Sequence, residues 1–298
     1  MVFTVSAITF ALLSTAGGDA LASLRDNPQI SQATIERLRE VYGLDKPITT
    51  RYFTWLTSSL RGDMGESFYF KTPVVSLVLS RFKNTFLIGV AALFIAILLA
   101  AILAFLSVRY PNAKLDGFLG GLAIFTASLP RIVLSLFALA FMVWTAGSAI
   151  SIRSDSFGMF AIAALVMAIP LFAIFLAQIH AGLKNAMAEP FILLARAKGL
   201  SETSIILHHA SRATLNPVLS ILGLSLGGIV SGSVVVETIL GWPGIGSLAV
   251  AAVLGRDIAL VMGVVVISSV AIWVGNSLAE IFQLLNDKRM LSGELNDA

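Results

Sequence analysis

Residues Thr85–Ser107 read TFLIGVAALFIAILLAAILAFLS, a run of 23 positions without a charge. At 1.5 Å per residue it makes a helix about 34 Å long, enough to cross roughly 30 Å of hydrocarbon. Further along, Leu119–Thr145 is a second such run, interrupted by Pro130 and Arg131. Phe160–Ile179 is a third, with Pro170 inside it, and Pro217–Leu240 and Ala259–Leu285 follow. The opening run, Met1–Ser14, is about 21 Å as helix. It lacks the basic flank of a signal peptide, so it reads as a first span completed by Thr15–Ala20 or truncated at its start. The expectation is an all-α polytopic membrane protein with six transmembrane helices.

Composition agrees. Hydrophobic residues make up 57% of the chain and charged residues 12%, with a mean hydropathy of +0.90. A soluble domain carries about 25% charged residues, so too little charge remains here to cover a water-facing surface. The net charge of +3 has no basic cluster that would bind nucleic acid, and the cations read as topology signals. With no cysteine there is no disulfide, thiolate metal site or cysteine nucleophile. Neither a G-x-x-x-x-G-K-[ST] loop nor an H-E-x-x-H pair occurs, so the chain is read as non-catalytic, with no cofactor of its own.

Short loops set the orientation. Arg109 and Lys114, then Lys184, Arg196, Lys198 and Arg212, then Lys288 and Arg289 fall on one side, against Arg153 and Arg256 on the other. The positive-inside rule puts the first set, and both termini, in the cytoplasm. The segment from about 17 to 84 is then external. It carries nine basic residues, but segments longer than about 60 residues largely escape the rule. Arg81 and Lys83 beside the first long span run mildly against it. Within the segment, Ser31, Thr34, Ile35, Leu38, Val41 and Tyr42 have helical spacing, stopped by Gly43 and the Asp45-Lys46-Pro47 turn. Tyr52, Phe53, Trp55 and Leu56 open a second amphipathic helix that ends near Gly62. It serves as a packed cap or as a docking platform for an external partner.

The loop of about residues 180–214 carries the most local information. Pro190 suits the first turn of a helix and Gly199 the position just past its end. Arg196 and Lys198 sit in the last turn, where cations complement the helix dipole. Ser201 is placed as the N-cap of a second helix, with Glu202 in its first turn. Phe191, Ile192, Leu194 and Ala195 make this helix apolar although it leaves the membrane. It must bury against the chain's own base or against a separate cytoplasmic protein.

Three separated stretches, in order, carry a resemblance over nearly the whole chain. They are Gly43-Leu44-Asp45-Lys46-Pro47 with Tyr52, Trp55 and Gly62-Asp63-Met64-Gly65-Glu66-Ser67; Ala195-Arg196-Ala197-Lys198-Gly199-Leu200-Ser201 with His208-His209-Ala210 and Asn216-Pro217; and Val234–Ile239 with Trp242-Pro243-Gly244-Ile245-Gly246 and Arg256-Asp257. These resemble the permeases of binding-protein-dependent ABC importers, specifically the dipeptide, oligopeptide and nickel family. The resemblance implies that residues 1–298 form one type I transmembrane domain in the bacterial inner membrane. It also implies a homologous second permease, two cytoplasmic ATPases that bind ATP and Mg, and an external substrate-binding protein. In the family the loop helix lies in a groove of the ATPase, whose closure swings the spans between inward- and outward-open states. Carried over, Ala195, Ala197, Lys198, Gly199 and Leu200 are the coupling residues. Leu193 departs from the broad importer pattern, which has glutamate there, and Ser211-Arg212 replace Leu-Pro; the peptide-permease family shares such departures.

Gly223-Leu224-Ser225-Leu226-Gly227 matches a hydrolase elbow but lies in an apolar span without a triad, so catalysis is rejected. Gly223, Gly227, Gly228 and Gly232 instead form small-residue repeats suited to helix packing or pore lining. Gly244-Ile245-Gly246-Ser247-Leu248-Ala249 has no preceding strand and is not a dinucleotide loop. Arg131 lies mid-span, where a lone cation costs about 2.5–3.5 kcal/mol. It either pairs with Glu237, Glu280 or carbonyls freed by Pro130, or acts as a pathway cation for a substrate carboxylate. Glu237 is placed as an outer gate or an interfacial residue, and Glu280 as interfacial. His208, His209 and the distant His180 do not form a metal site. A secondary transporter would need ion-coupling charges and often inverted repeats, neither of which is apparent, and a membrane sensor would need no pathway. Peptide import is the expectation, with nickel chelate or another small solute as the alternative cargo.

Overall fold

The apolar runs fold as α-helices, and no strand occurs among the residues that the computed structural model describes: 2–15, 36, 46–146 and 157–286. In chain order the helices are α1 Val2–Thr15, α2 Ile48–Leu60, α3 Val74–Arg109, α4 Ala113–Ser128, α5 Arg131–Ala146, α6 Phe157–Met187, α7 Pro190–Ala197, α8 Ser211–Leu240, α9 Ile245–Leu254 and α10 Ile258–Asn286. Between α7 and α8 stand one helical turn, Glu202–Ser204, and a π-helical segment, Ile205–Ala210. Helices α3, α6 and α10 and the continuous stretch Glu202–Leu240 are each long and apolar enough to cross a membrane.

The described residues support part of the expected span count. The run Leu119–Thr145 is not one straight helix: α4 and α5 meet at 88°. Pro130 causes the break, because its ring pushes the preceding residue out of the helical region. Leu129 accordingly has φ −78° and ψ 114°, an extended conformation. The Pro130 carbonyl then starts α5 by accepting from the amides of Val133 (3.0 Å) and Leu134 (3.2 Å). Helix α1 has 14 residues, about 21 Å and short of the bilayer core; its expected completion at residues 16–20 lies outside the described residues. Among the described residues, length and composition thus support four of the six expected spans, or five with the bent pair counted as one. Of the helix expected over 31–42 only Glu36 is described, and it is helical; the rest, with Gly43 and Asp45 behind it, lies outside the described residues, as do Arg153, Lys288 and Arg289.

The chain divides into two compact units, Met1–Asn84 with Pro243–Ala271, and Thr85–Trp242 with Ile272–Ala298. In the first, α2 lies along α1. The Tyr52 hydroxyl shares a 3.0 Å hydrogen bond with Ser6, and the Phe10 ring packs against Tyr52 (5.5 Å) and Trp55 (6.5 Å). The aromatics of α2 therefore pack, while Phe53 on its other face is exposed. After α2, Gly62 and Gly65 take positive φ (+87° and +84°), and the chain doubles back so that Val74 donates to the Gly65 carbonyl at 3.0 Å.

This turn is tied down by Asp257, a buried carboxylate from a distant stretch. Its Oδ2 accepts from the Ser67 hydroxyl (2.7 Å) and the Tyr69 amide (3.0 Å), and its Oδ1 accepts from the Leu260 amide (3.0 Å) at the start of α10. Two of the motifs quoted from the sequence, 62–67 and 256–257, thus meet in one satisfied buried cluster.

The second unit is built around α6. Ala163, Met167, Leu171, Phe175 and Leu176 are all buried in a core shared with α4, α5, α8 and the later part of α3. Ala92, Ala96, Ala100 and Ala104 of α3 recur every fourth residue and are fully buried, a ridge of small side chains that lets backbones approach in lipid. Glycines serve the same end where neighbours intrude. A Cβ at Gly182 would meet Thr214 at 2.3 Å, and one at Gly89 would meet Ile229 at 2.4 Å.

Candidate functional site

The loop helix α7 begins with Pro190 in its first turn and ends in a six-residue cap. Gly199 has φ +75°, which a side chain would strain. The Gly199 amide donates to the Arg196 carbonyl at 2.9 Å and the Leu200 amide to the Ala195 carbonyl at 3.3 Å. This pairing of the two amides after the helix with its last carbonyls is a Schellman motif. Ser201 then caps the next turn, its hydroxyl accepting from the Ser204 amide at 3.3 Å. Across the turn, Arg196 holds Glu202 with both arms, Nε to Oε1 at 2.7 Å and Nη2 to Oε2 at 3.2 Å. The hydrogen bonds between them raise the Arg196 pKa and hold the Glu202 carboxyl below its ordinary value, so each charge favours the other.

The five residues predicted for coupling do not share one face. Ala195 is buried, with Ile192 one turn earlier, and anchors α7 to the unit's core. Ala197, Lys198, Gly199 and Leu200 are exposed. Beside them stand two leucines outside the predicted coupling set: Leu193 is 66% exposed, and Leu194, expected to need a burial partner, is 59% exposed. The signal was present, since burying 192 and 195 at helical spacing turns 193, 194 and 197 outward. The result is an apolar knob on a rigidly capped turn.

Behind the knob, Ile205 and Ile206 are both buried although adjacent, as the wide π-helical turn permits. Alongside lies a cleft of ≈ 540 Å³ lined by Arg109, Asp116, Lys184, Arg196 and Glu202 among others. In it Lys184 donates to Asp116 at 2.7 Å, Ser107 donates to the same carboxylate, and Arg109 donates to Thr203 at 3.3 Å. His180 joins this cluster, 3.3 Å from Asp116. His208 and His209 are exposed elsewhere, and the described residues hold no cluster of three metal-binding side chains.

Deeper in the unit, Arg131 opens α5 and lines a cavity of ≈ 250 Å³ with residues of α6 and α8. Neither of the two expected carboxylates pairs with it. Glu237 is fully buried and accepts from the Thr85 hydroxyl at 2.5 Å, and Glu280 is exposed. Glu237 is thus a core carboxylate joining α3 to α8, not a residue at an exposed rim. The four small-residue positions separate as well. A Cβ at Gly223 would meet Ala279 at 2.3 Å and one at Gly227 would meet Ile272 at 3.3 Å, so both face α10. Gly232 faces Arg131, whereas Gly228 has open space and lines the cavity.

Residues 68–292 match the family described as binding-protein-dependent transport system inner membrane component. Among curated proteins, the oligopeptide transport system permease protein AppB of Bacillus subtilis is 30% identical over 297 residues, covering 96% of this chain and 94% of that protein. The dipeptide transport system permease protein DppB of Lactococcus lactis is 27% identical over 97% of this chain and 94% of its own. The oligopeptide transport system permease protein OppB of Escherichia coli is 34% identical over 89% of this chain and 87% of its own. A matched pattern over three quarters of the length, laid on an all-α polytopic fold, leaves one assignment: the chain belongs to the inner membrane components of binding-protein-dependent transport systems, as a permease subunit of the ABC peptide-importer type.

Proposed function

We propose that this permease forms half of the pathway of an ATP-driven peptide importer and is driven through the knob at α7. The observation that carries the coupling role is the exposed apolar face of Leu193, Leu194 and Leu200 on a turn whose own hydrogen bonds are complete. Burying one leucine contributes about 1.5–3 kcal/mol, so such a face is suited to a groove on a partner. In this reading Ala197, Lys198, Gly199 and Leu200 contact a cytoplasmic ATPase, and Ala195 holds the helix to the permease. ATP and Mg are bound by two such ATPase subunits. A homologous second permease completes the pathway, and an external binding protein delivers the cargo. Residues 1–298 act as one transmembrane domain with both termini in the cytoplasm and the loop 180–214 facing the ATPases. The three relatives described above are named for peptides, which favours peptides over nickel chelate.

The test is ATP turnover of the complete complex in liposomes, with its binding protein empty or peptide-loaded. Peptide loading should stimulate turnover. Gly199→Pro removes the amide that closes the cap and cannot adopt φ +75°. Together with Leu193→Asp, it should abolish stimulation while the complex still assembles. Stimulation unchanged in both variants would reject the coupling role, and no response of the wild type to any peptide load would reject the cargo.

A further inference from the structure

The geometry points to a subsite for the last residue of a peptide in the cavity beside Arg131, with the guanidinium holding the free α-carboxylate and the apolar wall taking the side chain. The inference rests on the peptide-import reading and adds which end of the cargo this subunit recognises.

Arg131 is the first residue of α5, where the helix dipole already places partial positive charge. No ion pair reaches it from any described carboxylate; Glu237 is taken up by Thr85, and Glu280 is exposed. A cation inside an apolar unit is costly unless it faces protein partners or a water-filled pathway. A carboxylate matches the planar fork of arginine with two parallel bonds.

The guanidinium is also seated. It lies on the bare backbone of Gly232, where a Cβ would stand 1.9 Å from Nη1 and 2.6 Å from Cζ. Any side chain at 232 would expel it. Gly228, one turn earlier on α8, has nothing within 4 Å of where its Cβ would be, and this open space belongs to the cavity.

Size and lining decide how much of the cargo fits. At ≈ 250 Å³ the cavity is smaller than the roughly 300–1,000 Å³ of sites that enclose a whole small ligand. It accommodates one terminal residue. Met167 and Leu171 form a buried back wall, and Ile174 and Leu224 an exposed apolar rim. An apolar side chain suits that lining better than a charged one.

The experiment is uptake by the complete importer in proteoliposomes, with one binding protein used throughout so that its preference cancels between permease variants. The substrates are trialanine, its C-terminal amide, an amidated tripeptide with aspartate in the middle, and a tripeptide ending in phenylalanine. The wild type should favour the free acid over both amides. Arg131→Gln should cut that preference at least about tenfold, Arg131→Lys should keep part of it, and Gly232→Ala should lower it by displacing the guanidinium. Equal losses for acid and amide in Arg131→Gln would overturn the subsite, as would uptake of the aspartate-containing amide equal to that of the free acid. If Arg131→Gln is not recovered in the membrane, Gly232→Ala and the rim variant Ile174→Trp decide. Ile174→Trp should slow the phenylalanine-ended peptide several-fold more than trialanine, and equal slowing would overturn the proposal. A wild type that moves no peptide at all would instead refute the peptide-import reading.

Discussion

Asp257 shows how much a single residue can hold in place. Its two oxygens accept three donors from two stretches nearly 190 positions apart, and it is 1% exposed. Asp257→Asn would set an amide N–H₂ against donors now facing a carboxylate. Hydrogen bonds to a charged group contribute about 1.5–3 kcal/mol each, so the loss should be concentrated in the 65–73 turn. The expected outcome is faster protease cleavage within that turn in the purified complex, with Ser67→Ala giving a milder effect. Equal cleavage rates in wild type and Asp257→Asn would remove the carboxylate from this role. Nothing local in the sequence announces this cluster. Arg256-Asp257 and Gly62–Ser67 were each legible as motifs, but their meeting depends on a tertiary contact. Gly199, Pro190 and Ser201 were legible down to their roles as stop, start and cap, because each acts on backbone within four residues of itself. Arg131 was legible as an anomaly, whereas the bare face of Gly232 that seats it was not.

Among the elements, the helices were readable from apolar length and their breaks from proline, but the size of a break was not. Pro130 announces an interruption; the 88° between α4 and α5 reflects where each half finds its packing. Pro170 gives the contrary case, lying inside α6 without ending it. The π-helical turn 205–210, in which the adjacent Ile205 and Ile206 are both buried, has no local sequence signature. Helix contacts yield a prediction of their own. A Cβ at Gly223 of α8 would fall 2.3 Å from that of Ala279 on α10. Gly223→Ala should therefore cost about 1–3 kcal/mol by overpacking, seen as a lower unfolding temperature of the complex in detergent. Adding Ala279→Gly should restore much of it despite the poorer helix propensity of glycine. A double variant no more stable than Gly223→Ala alone would show that this approach does not set the helix pair.

Over the whole molecule, fold class followed from hydropathy and charge, whereas the described residues account for four or five of the six expected crossings. Four helices pass on length, the bent pair supplies a fifth only if counted as one, and α1 is too short as described. The chain contains no cysteine, so the proposed orientation is open to single-site labelling without prior substitution. Lys114→Cys and Tyr69→Cys both place a thiol at exposed positions. A membrane-impermeant maleimide should label the first only from the cytoplasmic side and the second only from outside. Labelling of both from one side would overturn the proposed topology and with it the placement of α7 against an ATPase.

The completed cap behind Leu193 has a mechanical consequence. A loop held by water would yield like a spring, and a push on its tip would be lost in bending. Here the amides after α7, the Ser201 hydroxyl and the Arg196–Glu202 clasp are all satisfied within twelve residues of one another, while Ile192 and Ala195 are set in the core. The turn behaves as the stud of a ball joint, stiff along its own axis and keyed into the unit behind it. Displacement applied at its tip is delivered to the helices with little lost motion.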